Sequence, residues 1–183
     1  ATAVELDGSS TDSNSQVMKG NAGMFAMVGG AEIGYSVPVS DVMLITIGVS
    51  ANPGEAKFKV DGAGSANTTN SDVTVELSDL LTAFIAPTFA ISESAAVYIK
   101  VGYTEADLSV KGDVTKVPDL EGTTFAIGTK SLLPNGVFIQ TEAGMTEYDK
   151  VKFTGLGTYI ATTNSASVDP TQAYGSVTLG YKF

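Results

Sequence analysis

The chain has 183 residues, 10 Lys against 20 Asp and Glu, a formal net charge of -10, and no Arg, His, Cys or Trp. The length suits one domain with a sizeable core. The missing residue types exclude the usual zinc sites, Ser-His-Asp and Cys-His nucleophiles, haem and cluster ligation, disulfides, and a basic nucleic-acid footprint.

Period-2 alternation, rather than helical spacing, dominates the chain and predicts strands. In order they are about Thr2–Gly8, Gly23–Val37, Val42–Val60, Val73–Ile91, Ala95–Lys111, Gly122–Leu133, Val137–Phe153 and Thr171–Phe183. The stretch Val97 to Thr104 shows the pattern most cleanly. One face reads Val97, Ile99, Val101, Tyr103 and the other Tyr98, Lys100, Gly102, Thr104. Three connections are very short: Pro38 to Asp41, Ser92 to Ser94, and Pro134-Asn135-Gly136, whose Pro and Gly suit a tight turn. Four are long and polar, near Ser9–Asn21, Asp61–Asp72, Gly112–Glu121 and Thr154–Pro170. Long and short alternate, so all short turns fall at one end of an up-and-down sheet and all long loops at the other. Alternation, length and loop pattern together predict a single domain, residues 1–183: an all-β, eight-stranded antiparallel transmembrane barrel. Its short turns are periplasmic and its long loops extracellular.

Alternation alone fits two settings, a soluble barrel with its apolar face inward and a membrane barrel with that face toward lipid. Charge decides between them. A soluble barrel needs a charged outer face, yet charged residues are only 16% of the chain. The polar face is instead small, with Gly34, Ser36, Thr46, Gly48, Gly102, Gly128, Gly144, Ser176, Thr178 and Gly180. Most acids lie in or beside the long loops, among them Asp12, Asp61, Asp72, Asp107, Asp113, Asp119, Glu121 and Asp169. Phe25 and Tyr103 near the loops, with Tyr35 and Phe89 near the turns, suit an interfacial girdle. The apolar runs Val42–Val49 and Leu80–Ile91 are too short for a membrane-spanning helix. The start at Ala1-Thr2-Ala3 fits a mature chain exported with a cleaved signal peptide.

The hairpin from Gly29-Gly30-Ala31-Glu32-Ile33-Gly34-Tyr35 to Leu44-Ile45-Thr46-Ile47-Gly48-Val49 resembles those of the small OmpX/OmpA-type outer-membrane barrels. The close, Tyr174 to Phe183, resembles that family's last strand with its Gly-Tyr-basic-Phe ending. The likeness implies that Tyr181 and Phe183 form the signal read by barrel-insertion machinery and anchor the last strand. It also implies a Gram-negative outer membrane, with its lipid as a partner. The absence of Arg departs from the family, in which lumenal Arg is common; Lys takes its place here.

Chemistry has few candidates. The barrel enzymes of this architecture rely on His, which is absent. The carboxylate pairs Glu76 with Asp79 and Glu147 with Asp149 fall near loop ends and read as solvated acids. Asp113, Asp119 and Glu121 lack calcium-loop spacing, and Asn67-Thr68-Thr69 is a sequon only by pattern. The expectation is therefore no enzyme, no cofactor and no metal. Glu32, Lys100, Lys130 and Glu142 all face inward and form a predicted lumenal charge network that plugs the barrel. The expected role is structural, with acidic loops serving an extracellular partner or self-association. A small-solute channel and a soluble lipocalin-like ligand-binding barrel are the alternatives.

Overall fold

Runs of β-branched, aromatic and small residues in strict alternation leave the backbone little choice but extended strands. A computed structural model describes residues 1–11, 17–60, 73–111, 118–154 and 165–183. The expectations placed on Asp12, Asp61, Asp72, Asp113 and the Asn67 sequon lie outside those residues. Eleven strand segments form one antiparallel sheet: β1 Thr2–Thr11, β2 Val17–Ala26, β3 Ala31–Ser40, β4 Met43–Asn52, β5 Ala56–Val60 and β6 Val73–Ala90. They continue with β7 Ala95–Lys111, β8 Leu120–Leu132, β9 Val137–Tyr148, β10 Val151–Thr154 and β11 Ser165–Tyr181.

Neighbours along the sheet run β2-β1-β11-β9-β8-β7-β6-β4-β3, with β10 also on β11 and β5 also on β6. The two ends of this order, β2 and β3, are consecutive in the chain and separated only by residues 27–30. Three predicted strands are therefore interrupted. Gly23–Val37 begins earlier, at Val17, and breaks at 27–30; Val42–Val60 breaks at 53–55; Val137–Phe153 breaks at 149–150. Between Leu132 and Val137 the chain turns through a single 3₁₀ turn, Pro134–Gly136. There Asn135 and Gly136 take φ of 70° and 80°, the left-handed region that glycine and asparagine tolerate best.

Proline explains several corrected boundaries. Pro38, expected in a turn, lies inside β3, which is paired on one side only. Pro170, expected in a loop, lies inside β11, which the structure starts at Ser165 rather than Thr171. It faces Leu6 of β1, but the pairing with β9 and β10 skips Asp169 and Pro170. Pro87 pairs with Ile45, and the β6–β7 register skips it. Each ring sits where one side of the ladder needs no N–H donor.

The sheet faces divide as the alternation requires, and the division reverses near the loops. On β7, Ile99, Val101 and Tyr103 are exposed while Tyr98, Lys100, Gly102 and Thr104 are buried. Two residues further on, Glu105 and Asp107 point out and Ala106 points in. β8 changes between Phe125 and Glu121, and β9 between Met145 and Glu147. Below that line, residues 95–103, 125–133 and 137–145 give an apolar outer stretch of about nine residues per strand, the length a tilted strand needs to cross a bilayer. A bulge on β6 between Ser78 and Leu81, with Asp79 at φ 51°, marks the same level.

Candidate functional site

The inner face is filled by aromatic rings, and glycines make room for them. Gly128 is the cross-strand partner of Tyr98, Gly144 of Tyr174, Gly48 of Phe84, Gly180 of Phe138 and Gly122 of Tyr148. At Gly48 a Cβ would lie 2.6 Å from the Phe84 ring, and at Gly144 it would lie 2.7 Å from Tyr174. A ring on one strand thus lies flat over bare backbone on the next.

Among these rings sits a charged cluster. Lys100 Nζ lies 2.7 Å from Glu32 Oε2 and 2.6 Å from Glu142 Oε2, so one ammonium bridges carboxylates from β3 and β9. The side chains of Lys100 and Glu142 are 4% and 6% exposed, that of Glu32 22%. Tyr98 donates its hydroxyl to Glu142 Oε2 at 2.6 Å and Tyr174 donates to Oε1 at 2.8 Å. Gln140 donates to Glu32 Oε1 at 3.4 Å. The Phe84 ring lies 4.3 Å below the ammonium, a cation–π contact. A buried charge lacking such partners would be expensive; here both Lys100 and Glu142 are surrounded by partners.

The structure brings together Glu32, Lys100 and Glu142 and leaves Lys130 apart. Lys130 pairs in register with Gln140, one inward position nearer the turns than the Gly128–Glu142 pair. From there its ammonium lies over the Phe138 ring at 4.7 Å, and among the described residues it makes no ion pair within 4 Å. Inward parity, used to place the charges, does not see which ring lies between.

Toward the loops the chemistry changes in steps. First comes a row of hydroxyls on neighbouring strands: Thr82 to Thr104 at 2.8 Å, Thr104 to Thr124 at 2.5 Å, Thr124 to Thr146 at 2.7 Å. Gln172 extends the polar row on the far side by donating to Thr2 at 2.7 Å and accepting from Tyr148. Beyond it an apolar cluster of Val4, Leu77, Ala106, Leu120, Tyr148 and Val151 fills the interior.

The other predicted residues lie on the outer face. Phe25 and Tyr103 are exposed toward the loop end, Tyr35 and Phe89 toward the turn end, and Tyr181 and Phe183 are exposed at the chain's close. Tyr103 donates to Glu121 Oε2 at 2.5 Å. Glu76 is held by Lys57 at 3.3 Å, whereas Glu147 and Asp149 are exposed. Among the described residues no group of three acids is placed to hold a metal ion. Sequence reasoning missed the tyrosines, Gln140 and the threonine row. Their signal was their parity, which matches that of Lys100 and Glu142.

No family model matches the chain, and no curated protein does. Among solved structures, the outer membrane protein OprG from Pseudomonas aeruginosa superposes with a TM-score of 0.57 at 13% identity, covering 100% of this chain and 96% of OprG. Ail, the attachment invasion locus protein of Yersinia pestis, covers 96% of this chain and 95% of its own at 9% identity, with a TM-score of 0.38. The likeness to OprG shows an outer-membrane β-barrel fold.

Proposed function

We propose that this chain is an integral outer-membrane β-barrel whose interior is plugged, so that it acts as a structural and surface-interaction protein and neither as an enzyme nor as a channel. The observation that carries the plug is the Lys100 bridge, which ties β3 to β7 and β9 across the interior. Joining β2 with β3, β4 with β5 and β9 with β10 gives eight strands, and the wall closes where β2 meets β5. Eight strands enclose a space that side chains can fill. The apolar outer stretch and many exposed large hydrophobics, from Ile33 to Leu179, support a lipid-facing wall. A soluble lipocalin-like barrel would turn those residues inward.

On this reading the chain is exported to a Gram-negative outer membrane with a cleaved signal peptide. Insertion machinery recognises the last strand through Tyr181 and Phe183. The acidic long loops are the surface offered to an extracellular partner or to another copy. Heat-modifiability on a detergent gel tests the barrel: unboiled and boiled protein should migrate differently. Identical migration, or a stable folded monomer in detergent-free buffer, would overturn the reading. Deleting Phe183 should lower assembly in cells while refolding into detergent suffers less; equal assembly in cells would remove its role as a signal.

A further inference from the structure

The wall has a slot on the side where the chain starts. β1 lies between β2 and β11, with Thr2 opposite both Ala26 and Tyr174. Past Gly175, β11 continues to Tyr181 with β9 on one side only, and past residues 27–30 the track of β2 continues as β3 with β4 on one side only. Among the described residues nothing pairs with the facing edge of either segment. Both run toward the short turns, so they are parallel to each other and lie on either side of the track of β1. A cavity of about 320 Å³ lies inside the wall there, with Ala31, Glu32, Ser176 and Val177 at its edge and Lys100, Thr104, Thr124 and Thr146 along its inner side.

Exposure records the missing neighbour. Ile33 and Tyr35 on β3 are each 71% exposed, and Val177 and Leu179 on β11 are 77% and 73%. Outward residues of fully flanked strands are lower, with Ile99 at 53%, Phe125 at 49% and Ile139 at 39%. Every residue of β3 is exposed, including the inward-facing Glu32, Gly34 and Ser36.

We propose that this slot is the seat of one further strand, an extension of β1 of about six residues or more joined to the Ala1 nitrogen. Three observations select that occupant. Two rows of backbone N–H and C=O groups face each other in a region where lipid offers no hydrogen bonds, and only another backbone can satisfy both. The sheet is antiparallel throughout, so a strand between β3 and β11 must run in the direction of β1. Ala1 already stands in that ladder: its nitrogen donates to the Gly175 carbonyl at 2.8 Å and its carbonyl accepts from the Gly175 N–H at 2.9 Å. Polypeptide joined there runs on between Ser176–Tyr181 and β3. Because Thr2 and Val4 face inward and Ala1 and Ala3 outward, the residue preceding Ala1 faces inward. Small or polar residues belong at it and every second position before it, with apolar residues between them.

The proposal builds on the membrane-barrel reading, and its test separates the two. Amide exchange is measured in detergent micelles on the 183-residue chain and on the same chain preceded by a copy of Val177–Lys182, whose alternation fits the slot. The slot-facing amides, those of Val177, Leu179 and Tyr181 and of every second residue of β3, should exchange fast in the first and slow by at least roughly tenfold in the second. A copy shifted by one residue, which turns its apolar side chains inward, should not protect them. Protection already present without the extension, no protection with it, or equal protection by the free hexapeptide at micromolar concentration would each overturn the proposal. If the gel shift on heating persists in those cases, the slot assignment fails and the barrel reading stands.

Discussion

The interior near the loops and the interior about six residues lower are built from opposite materials. At the loop end Val4, Leu77, Ala106, Leu120 and Val151 pack as in a soluble protein, while Glu105, Asp107, Glu121 and Glu147 face outward. At the level of Lys100 the inside is ionic and aromatic, and the outside carries Ile99, Val101 and Ile127. β7, β8 and β9 pass through both regions without changing parity, and on β6 the bulge shifts it, from Leu77 inward near the loops to Phe84 inward below. The solvent outside decides which chemistry goes within. Where water meets the wall, burial of apolar area drives packing; where lipid meets it, inward apolar burial gains little, and partnered polar groups hold the interior instead. The inversion line from Tyr103 through Thr123 to Met145 thus marks the edge of the membrane.

Substitutions in the two regions should therefore fail for different reasons. The largest expected effect is at Lys100. Lys100→Ala strands two carboxylates and should cost roughly 3–5 kcal/mol in reversible unfolding from detergent or lipid. Adding Glu32→Gln and Glu142→Gln to Lys100→Met should return much of that loss, because no uncompensated charge remains. If the triple variant is as unstable as the single one, the ionic account is wrong. Leu120→Ala, at a fully buried position in the loop-end cluster, should cost about 3 kcal/mol by lost burial and a cavity. No change of charge nearby should rescue it.

Smaller effects sharpen the contrast. Gly128→Ala pushes a methyl group into the Tyr98 ring and the Thr141 carbonyl and should cost about 1–3 kcal/mol. Thr104→Val keeps the shape but removes the hydroxyl shared by Thr82 and Thr124, for about 1 kcal/mol. At the rim, Lys57 lies 2.7 Å from Glu55 and 3.3 Å from Glu76 with half its side chain in water. Lys57→Ala should leave the unfolding midpoint unchanged at physiological salt.

Much of this was legible in the sequence because parity is a physical constraint. Ala95–Lys111 alternates so regularly that both strand limits and the inward placement of Lys100 follow from the residues alone. The strand breaks at 27–30 and 53–55 left a signal in Gly29-Gly30 and Pro53-Gly54, which the alternation on either side of them overrode. The start of β11 at Ser165 was hidden for a related reason. Ser165 to Pro170 alternates Ala166, Val168 and Pro170 with Ser165, Ser167 and Asp169, but its small polar residues and proline suit a loop as well, and it becomes strand by pairing with β1. The charge cluster was legible as four inward groups, Glu32, Lys100, Lys130 and Glu142, of which the structure joins all but Lys130. Its hydroxyl donors were not, because Tyr98 and Tyr174 lie 44 and 32 residues from Glu142 and meet it through strand register, Tyr98 across Gly128 and Tyr174 diagonally from Gly144.

The proposed plug is the Lys100 cluster with the aromatic and apolar layers on either side of it. Ion conductance of the purified protein in a planar bilayer tests that most directly. Little or no steady conductance is expected from the unmodified chain, with an increase when Lys100, Glu32 and Glu142 are replaced by Ala together. Large, steady conductance from the unmodified chain would contradict the plug and make the protein a channel.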